Sequence, residues 1–209
     1  MRLRRAAFLP LLLASSAIAQ QPWSVGARGH FGFLWAHRPA SWILVEGHAS
    51  AGEVFLERRV EGDRAWHRNY GLPRYGVLAI HTRMANPQRI GDAIGVAPYL
   101  TLPLAVGERL HFGLRLAWGL GYVAKPFDRK ENTRQIAIGS RINTAIQLMP
   151  ELRYDAGRLS VHTGLAVNHW SNGSAKQPNL GLNYITASVG ASYALGASAT
   201  EREKPETVG

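Results

Sequence analysis

The sequence predicts an all-β protein, an eight-stranded antiparallel transmembrane β-barrel, and three observations carry that prediction. Apolar and polar side chains alternate with a period of two over most of the chain. The face opposite the apolar one carries charged residues. Segments of this kind number about eight, the even count that a bacterial outer-membrane barrel needs. A soluble sandwich turns its apolar face inward and leaves arginine outside, whereas a small transmembrane barrel has lipid outside and a polar, side-chain-filled interior. A secreted β-sandwich or lipocalin-like barrel is the competing architecture, and the polar residues that recur opposite the apolar face count against it.

The 209-residue chain opens with Arg2, Arg4 and Arg5, an apolar run from Ala6 to Leu13, and small residues ending in Ala17-Ile18-Ala19. This is the layout of a cleavable secretory signal over residues 1–19, with the mature chain expected to begin at Gln20. Loss of the three arginines takes the formal charge from +10 to +7. No cysteine is present, which excludes disulfides and thiolate chemistry. Beyond the signal no apolar run approaches the roughly 20 residues of a membrane-spanning helix, so the choice lies between an exported soluble domain and a barrel. The basic balance alone would suit nucleic acid, but the export signal and the lack of an aromatic and basic platform argue against that partner.

The barrel is expected over residues 20–195, in segments near 23–36, 41–59, 74–84, 90–104, 109–124, 135–155, 158–171 and 181–195. Several exceed the ~9–11 residues that cross a bilayer at a tilt. Trp23, Trp35, Trp42, Trp118 and Tyr193 suit the interfacial aromatic girdles. Residues 61–73 are too long for an ordinary periplasmic turn. Either they fold as a cap under the barrel or the second strand is placed wrongly.

Further along, Ala105-Val106-Gly107-Glu108 and Asp155-Ala156-Gly157-Arg158 read as short periplasmic turns. In the fifth and sixth segments the apolar face falls on even numbers: Phe112, Leu114, Leu116, Trp118, Leu120 and Tyr122, then Ile136, Ile138, Ile142, Ile146 and Leu148. Opposite them lie His111, Arg115, Arg141, Asn143 and Gln147. In the seventh the apolar face is odd, from Leu159 through Leu165 to Val167, and in the eighth it is odd again, from Ile185 to Tyr193. The tail at residues 196–209 lacks periodicity and is expected to be disordered.

Parity also places the chemistry. In an extended strand His169 and Ser171 project from the same side, so a potential base and nucleophile can cooperate in ester cleavage. Both continue the odd, apolar face of the seventh segment, and Asn183 continues that of the eighth. All three are expected to point toward lipid, near the extracellular rim. Polar groups on such a face are costly without partners or a function, and an ester substrate there is a lipid. Taken as local sequence, Ser171-Asn172-Gly173 and Gln177-Pro178-Asn179-Leu180-Gly181 are also good turn formers. The histidines at 30, 37, 48, 67, 81, 111 and 162 show no metal-ligand spacing. They read as lumenal or loop residues, and no metal site is expected.

The run from His169 to Asn183 resembles the lipid A 3-O-deacylase (PagL-type) family of outer-membrane enzymes and their acyloxyacyl hydrolase relatives. Gly29-His30-Phe31-Gly32-Phe33 with His37, Pro73-Arg74-Tyr75-Gly76-Val77, and Gly119-Leu120-Gly121-Tyr122 with Phe127-Asp128 and Asn132 extend the resemblance across the mature chain. It implies an eight-stranded barrel in the bacterial outer membrane with a Ser-His-Glu triad on its outer face. His169 then matches the base, Ser171 the nucleophile and Asn172 an oxyanion-hole residue. Asn183 stands where those deacylases have glutamate.

The expected function is therefore hydrolysis of an acyl ester of lipopolysaccharide. His169, Ser171 and Asn183 form the catalytic set, Asn172 and the Gly173 N–H receive the oxyanion, and no cofactor is needed. Lipid A and the membrane are the expected partners. Basic residues near the loops, among them Arg38, Arg83, Arg129, Lys130 and Lys176, suit its phosphates, although Asp128 and Glu131 interleave the same run. The alternative is a catalytically silent outer-membrane barrel that binds lipopolysaccharide or is structural.

Overall fold

In the computed structural model, which describes residues 23–195, the alternating segments become eight strands. They are β1 (Trp23–Leu34), β2 (His48–Arg59), β3 (Arg74–Arg83), β4 (Asp92–Val106), β5 (Leu110–Val123), β6 (Ile142–Ala156), β7 (Leu159–Ser171) and β8 (Leu182–Ala194). Each pairs antiparallel with its sequence neighbours. β8 returns to β1 through pairs such as Phe33↔Ile185 and Val25↔Tyr193, and the sheet closes. Closure satisfies every strand's ladder without leaving an edge, which is the condition for strands to stand in lipid. The expected signal at 1–19 and tail at 196–209 lie outside the described residues.

The two faces are inverted relative to a soluble protein. Phe31, Val54, Ile94, Trp118, Leu120, Leu165 and Val189 point outward and are each more than half exposed. Arg28, Glu53, Glu57, Arg115, Gln147, Glu151, Arg153 and His162 point inward and are buried. No helix among the described residues is long and apolar enough to cross a membrane. An apolar belt around a charged lumen is the physical signature of a transmembrane barrel.

The lumen is filled by side chains that pair across the barrel. Arg115, fully buried, donates to Glu53 at 2.8 Å and lies over the Tyr99 ring at 3.7 Å. Arg28 donates to Glu151 at 2.6 Å and Arg153 to Glu57 at 2.6 Å. Charges this deep are tolerable only when paired and hydrogen-bonded. Toward the end with the long loops the filling turns apolar: Leu44, Met84, Ile90, Val123, Ile138, Trp170, Leu182 and Tyr184 form a plug. Trp170 lies against β5 where Gly121 stands. A Cβ at Gly121 would come within 2.2 Å of the indole ring, so the glycine makes room for the side chain that pins the end of β7.

Two strands begin well after the sequence reading placed them. β2 begins at His48, because Pro39–Leu44 close into a 3-10 helix that Pro39 starts and that buries Leu44. β6 begins at Ile142, because residues 135–141 are held among the loops. The Gln135 amide donates to Arg89 O and Lys125 O, and Ile138 is fully buried in the plug instead of facing lipid. Residues 61–73 form a separate connection, and its Leu72 lines a pocket with Thr101, His111 and Arg153 at the periplasmic end of the lumen. Within it is a short helix α1 (Ala65–Asn69), with His67 on Asp63 at 2.7 Å and Val60 N–H bonded to Pro73 O.

Candidate active site

His169 and Asn183 occupy directly opposed positions on β7 and β8. Side chains so paired on one face of an antiparallel sheet stand close enough to interact. The His169 Nδ1 to Asn183 Oδ1 distance is 2.7 Å, with Nδ1–H donating to the amide oxygen. Ser171 follows on the same face of β7, level with Thr144 of β6. His169, Ser171 and Asn183 are all partly exposed on the outward side, as parity predicts, while Trp170 between them points inward and is 3 % exposed. A buried indole on one side of the strand fixes the aim of the two polar groups on the other.

The connection from Asn172 to Gly181 shapes the rest. Gly173 and Ser174 have φ of 61° and 67°, and Ala175 N–H donates to Asn172 O at 3.1 Å. Both central residues of this turn are therefore left-handed, a conformation that glycine takes freely and serine at a cost. The Asn172 side chain donates from Nδ2 to Ser140 Oγ at 2.8 Å and to Lys176 O at 2.9 Å, while its backbone N–H donates to Asn179 Oδ1 at 3.1 Å. Its amide hydrogens are thus committed, one tying the turn to the β5–β6 loop through Ser140 and the other closing it on Lys176. Gly181, with φ of 74°, lies beneath the His169 ring. A Cβ there would stand 2.9 Å from Cε1, so the glycine is what allows the imidazole its position.

Reasoning from sequence did not assign His37, Ser140 or Asn179 to the site. His37 comes from the β1–β2 loop, and Asn183 Nδ2 donates to its Nδ1 at 2.8 Å. Apart from the mention of His37 in the family resemblance, none of the three has a local signal for this site, since each reaches it through a loop whose path only packing sets. Among the basic residues at this end, Lys125 donates to Pro87 O and Gln88 O and so serves loop closure. Asp128 accepts the backbone N–H groups of Lys130 and Glu131, which hold its carboxyl below the ordinary range.

A serine and a histidine two residues apart, the histidine held through Nδ1 and all of it on the lipid side of a closed barrel, is an arrangement with few uses. The sequence profile of the lipid A 3-O-deacylase (PagL) family matches residues 50–192. The chain belongs to that family. The profile spans His169, Ser171 and Asn183, and His37 lies outside the matched stretch. No curated protein sequence matches the chain. Among solved structures, one described as the crystal structure of the outer membrane enzyme PagL is similar at a TM-score of 0.56 and 17% identity, covering 79% of this chain and 97% of that one. The crystal structure of Neisserial surface protein A (NspA) is similar at 0.54 and 9% identity, covering 83% and 97%. At those identities the structures agree on the barrel alone.

Proposed function

We propose that the protein is an outer-membrane esterase of the lipid A deacylase type that uses Ser171 as nucleophile and His169 as general base. The observation that carries this reading is the 2.7 Å bond from His169 Nδ1 to Asn183 on the outward face. It leaves Nε2 as the nitrogen that receives a proton, as in a serine triad. Ser171 Oγ attacks the acyl carbonyl carbon as its proton passes to Nε2, and a tetrahedral oxyanion forms. The ester bond to the sugar breaks, and the imidazolium returns the proton to the departing alkoxide. Water, deprotonated by His169, then attacks the acyl carbon, the Oγ–acyl bond breaks to release the fatty acid, and the His169 imidazolium returns the proton to Ser171 Oγ.

The Gly173 N–H, presented by the left-handed turn, is the oxyanion donor of this scheme. Asn172 contributes by holding that turn through Ser140 and Lys176. Membership of the family supports lipid A as the substrate, and the apolar belt supports the membrane as its source. With the N-terminus on the periplasmic side, the long loops and the site stand at the outer leaflet, so the ester arrives by lateral diffusion.

Release of fatty acid from purified lipid A in detergent tests the proposal, with each variant checked for the heat-modifiable mobility of a folded barrel. Wild type is expected to release fatty acid and Ser171→Ala to fall to background. Equal rates from the two folded proteins would leave a lipopolysaccharide-binding or structural barrel in place of the esterase.

A further inference from the structure

His37 stands outside the segment that the family profile covers, yet it is bonded to the side chain on which His169 depends. Asn183 makes two side-chain bonds in a line: Oδ1 accepts from His169 Nδ1 at 2.7 Å, and Nδ2 donates to His37 Nδ1 at 2.8 Å. An amide, unlike a carboxylate, has two different ends. Turned round, it would present its NH₂ to His169 Nδ1, make that nitrogen an acceptor, and place the proton on Nε2. A histidine with Nε2–H cannot take a proton from Ser171, and this is the fault that the wrong tautomer introduces in triads.

Something must therefore hold the amide with its oxygen toward His169. We propose that His37 is a positioning residue of this site: its Nδ1 lone pair accepts the Asn183 amide hydrogen and so fixes Asn183 Oδ1 on His169. The chain replaces the one carboxylate of a triad with an asparagine and a second histidine. His37 is exposed on a loop, so its imidazole is not needed to fill the core, and the proposal rests on the esterase reading given above. Trp35, whose ring lies 6.3 Å from that of His37, and the neighbouring Arg38 supply no acceptor that could stand in for it.

A mutant cycle together with ¹⁵N NMR of the detergent-solubilised barrel tests this. In alkaline buffer His169 of the wild type is expected to carry its proton on Nδ1, its signal assigned by its loss in His169→Gln. In His37→Ala the Nε2–H form should appear, and kcat on lipid A should fall about tenfold with KM unchanged, a loss of roughly 1.4 kcal/mol. His37→Asn, whose amide oxygen occupies the place of Nδ1, should recover most of the rate. In an Asn183→Glu background, where no amide needs orienting, His37→Ala should change kcat less than twofold. A His169 tautomer that is unmoved by His37→Ala overturns the proposal, whatever the rates do. A tautomer that switches while no variant cleaves lipid A upholds the His37 role and removes the esterase reading instead.

Discussion

Asparagine at position 183 limits what His169 can do. Its oxygen accepts from the imidazole, but in the proposed mechanism it brings no negative charge to the imidazolium that would form when Ser171 gives up its proton. Exchange of a triad carboxylate for its amide can cost on the order of 10⁴ in kcat, in part through the tautomer. Asn183→Glu is therefore expected to speed release of fatty acid from lipid A by about tenfold, roughly 1.4 kcal/mol, while the same change combined with Ser171→Ala stays at background. No gain in a folded Asn183→Glu protein would mean that charge at this position does not limit the reaction. The trio could be read from sequence because strand parity alone puts 169, 171 and 183 on one face. His37 enters the sequence reading only as a loop histidine within the family resemblance, and its bond to Asn183 could not be read there because the two are 146 residues apart.

At the scale of elements, alternation located every strand and misjudged where two of them begin. Residues 41–47 and 135–141 contain apolar residues in strand-like order, yet Leu44 and Ile138 are both fully buried in the plug above the lumen. A loop that folds over a barrel needs apolar residues for the same reason a strand does, so pattern alone cannot separate them. Residues 61–73 are the converse case, with a length too great for an ordinary periplasmic turn and a short helix, Ala65–Asn69, within it. For β7 the two faces can be tested directly. Single cysteines at Leu165, 62 % exposed, and Ala166, fully buried, should carry spin labels that report lipid at 165 and a shielded, polar interior at 166. Exchange of those two environments would turn the strand inside out and carry His169 and Ser171 into the lumen.

At the scale of the whole molecule, stability depends on a lumen in which charge is balanced across the barrel. Glu53 from β2 meets Arg115 from β5 at 2.8 Å, with His30 at 3.4 Å and Arg28 at 3.6 Å from β1. Glu53→Leu leaves Arg115 buried without its carboxylate and is expected to destabilise the barrel by about 3–5 kcal/mol in urea unfolding from lipid vesicles. Removing both partners, in Glu53→Leu with Arg115→Leu, should recover much of that loss, because the penalty comes from a stranded charge and not from a missing bond. A double variant as unstable as the single one would show that shape, not charge, governs this layer.

By itself the sequence determined the closed antiparallel barrel, the lipid-facing and lumenal sides of its strands, and the position of His169, Ser171 and Asn183 on one outward patch. All of these follow from a period of two, which is a local property of an extended chain. Tertiary structure decided which charges neutralise which in the lumen, which loop residues form the apolar plug, and that Asn172 is tied to Ser140 and Asn183 to His37. Those pairings join residues far apart in the chain. They depend on strand register and on how the loops pack over the barrel, and alternation along one strand specifies neither.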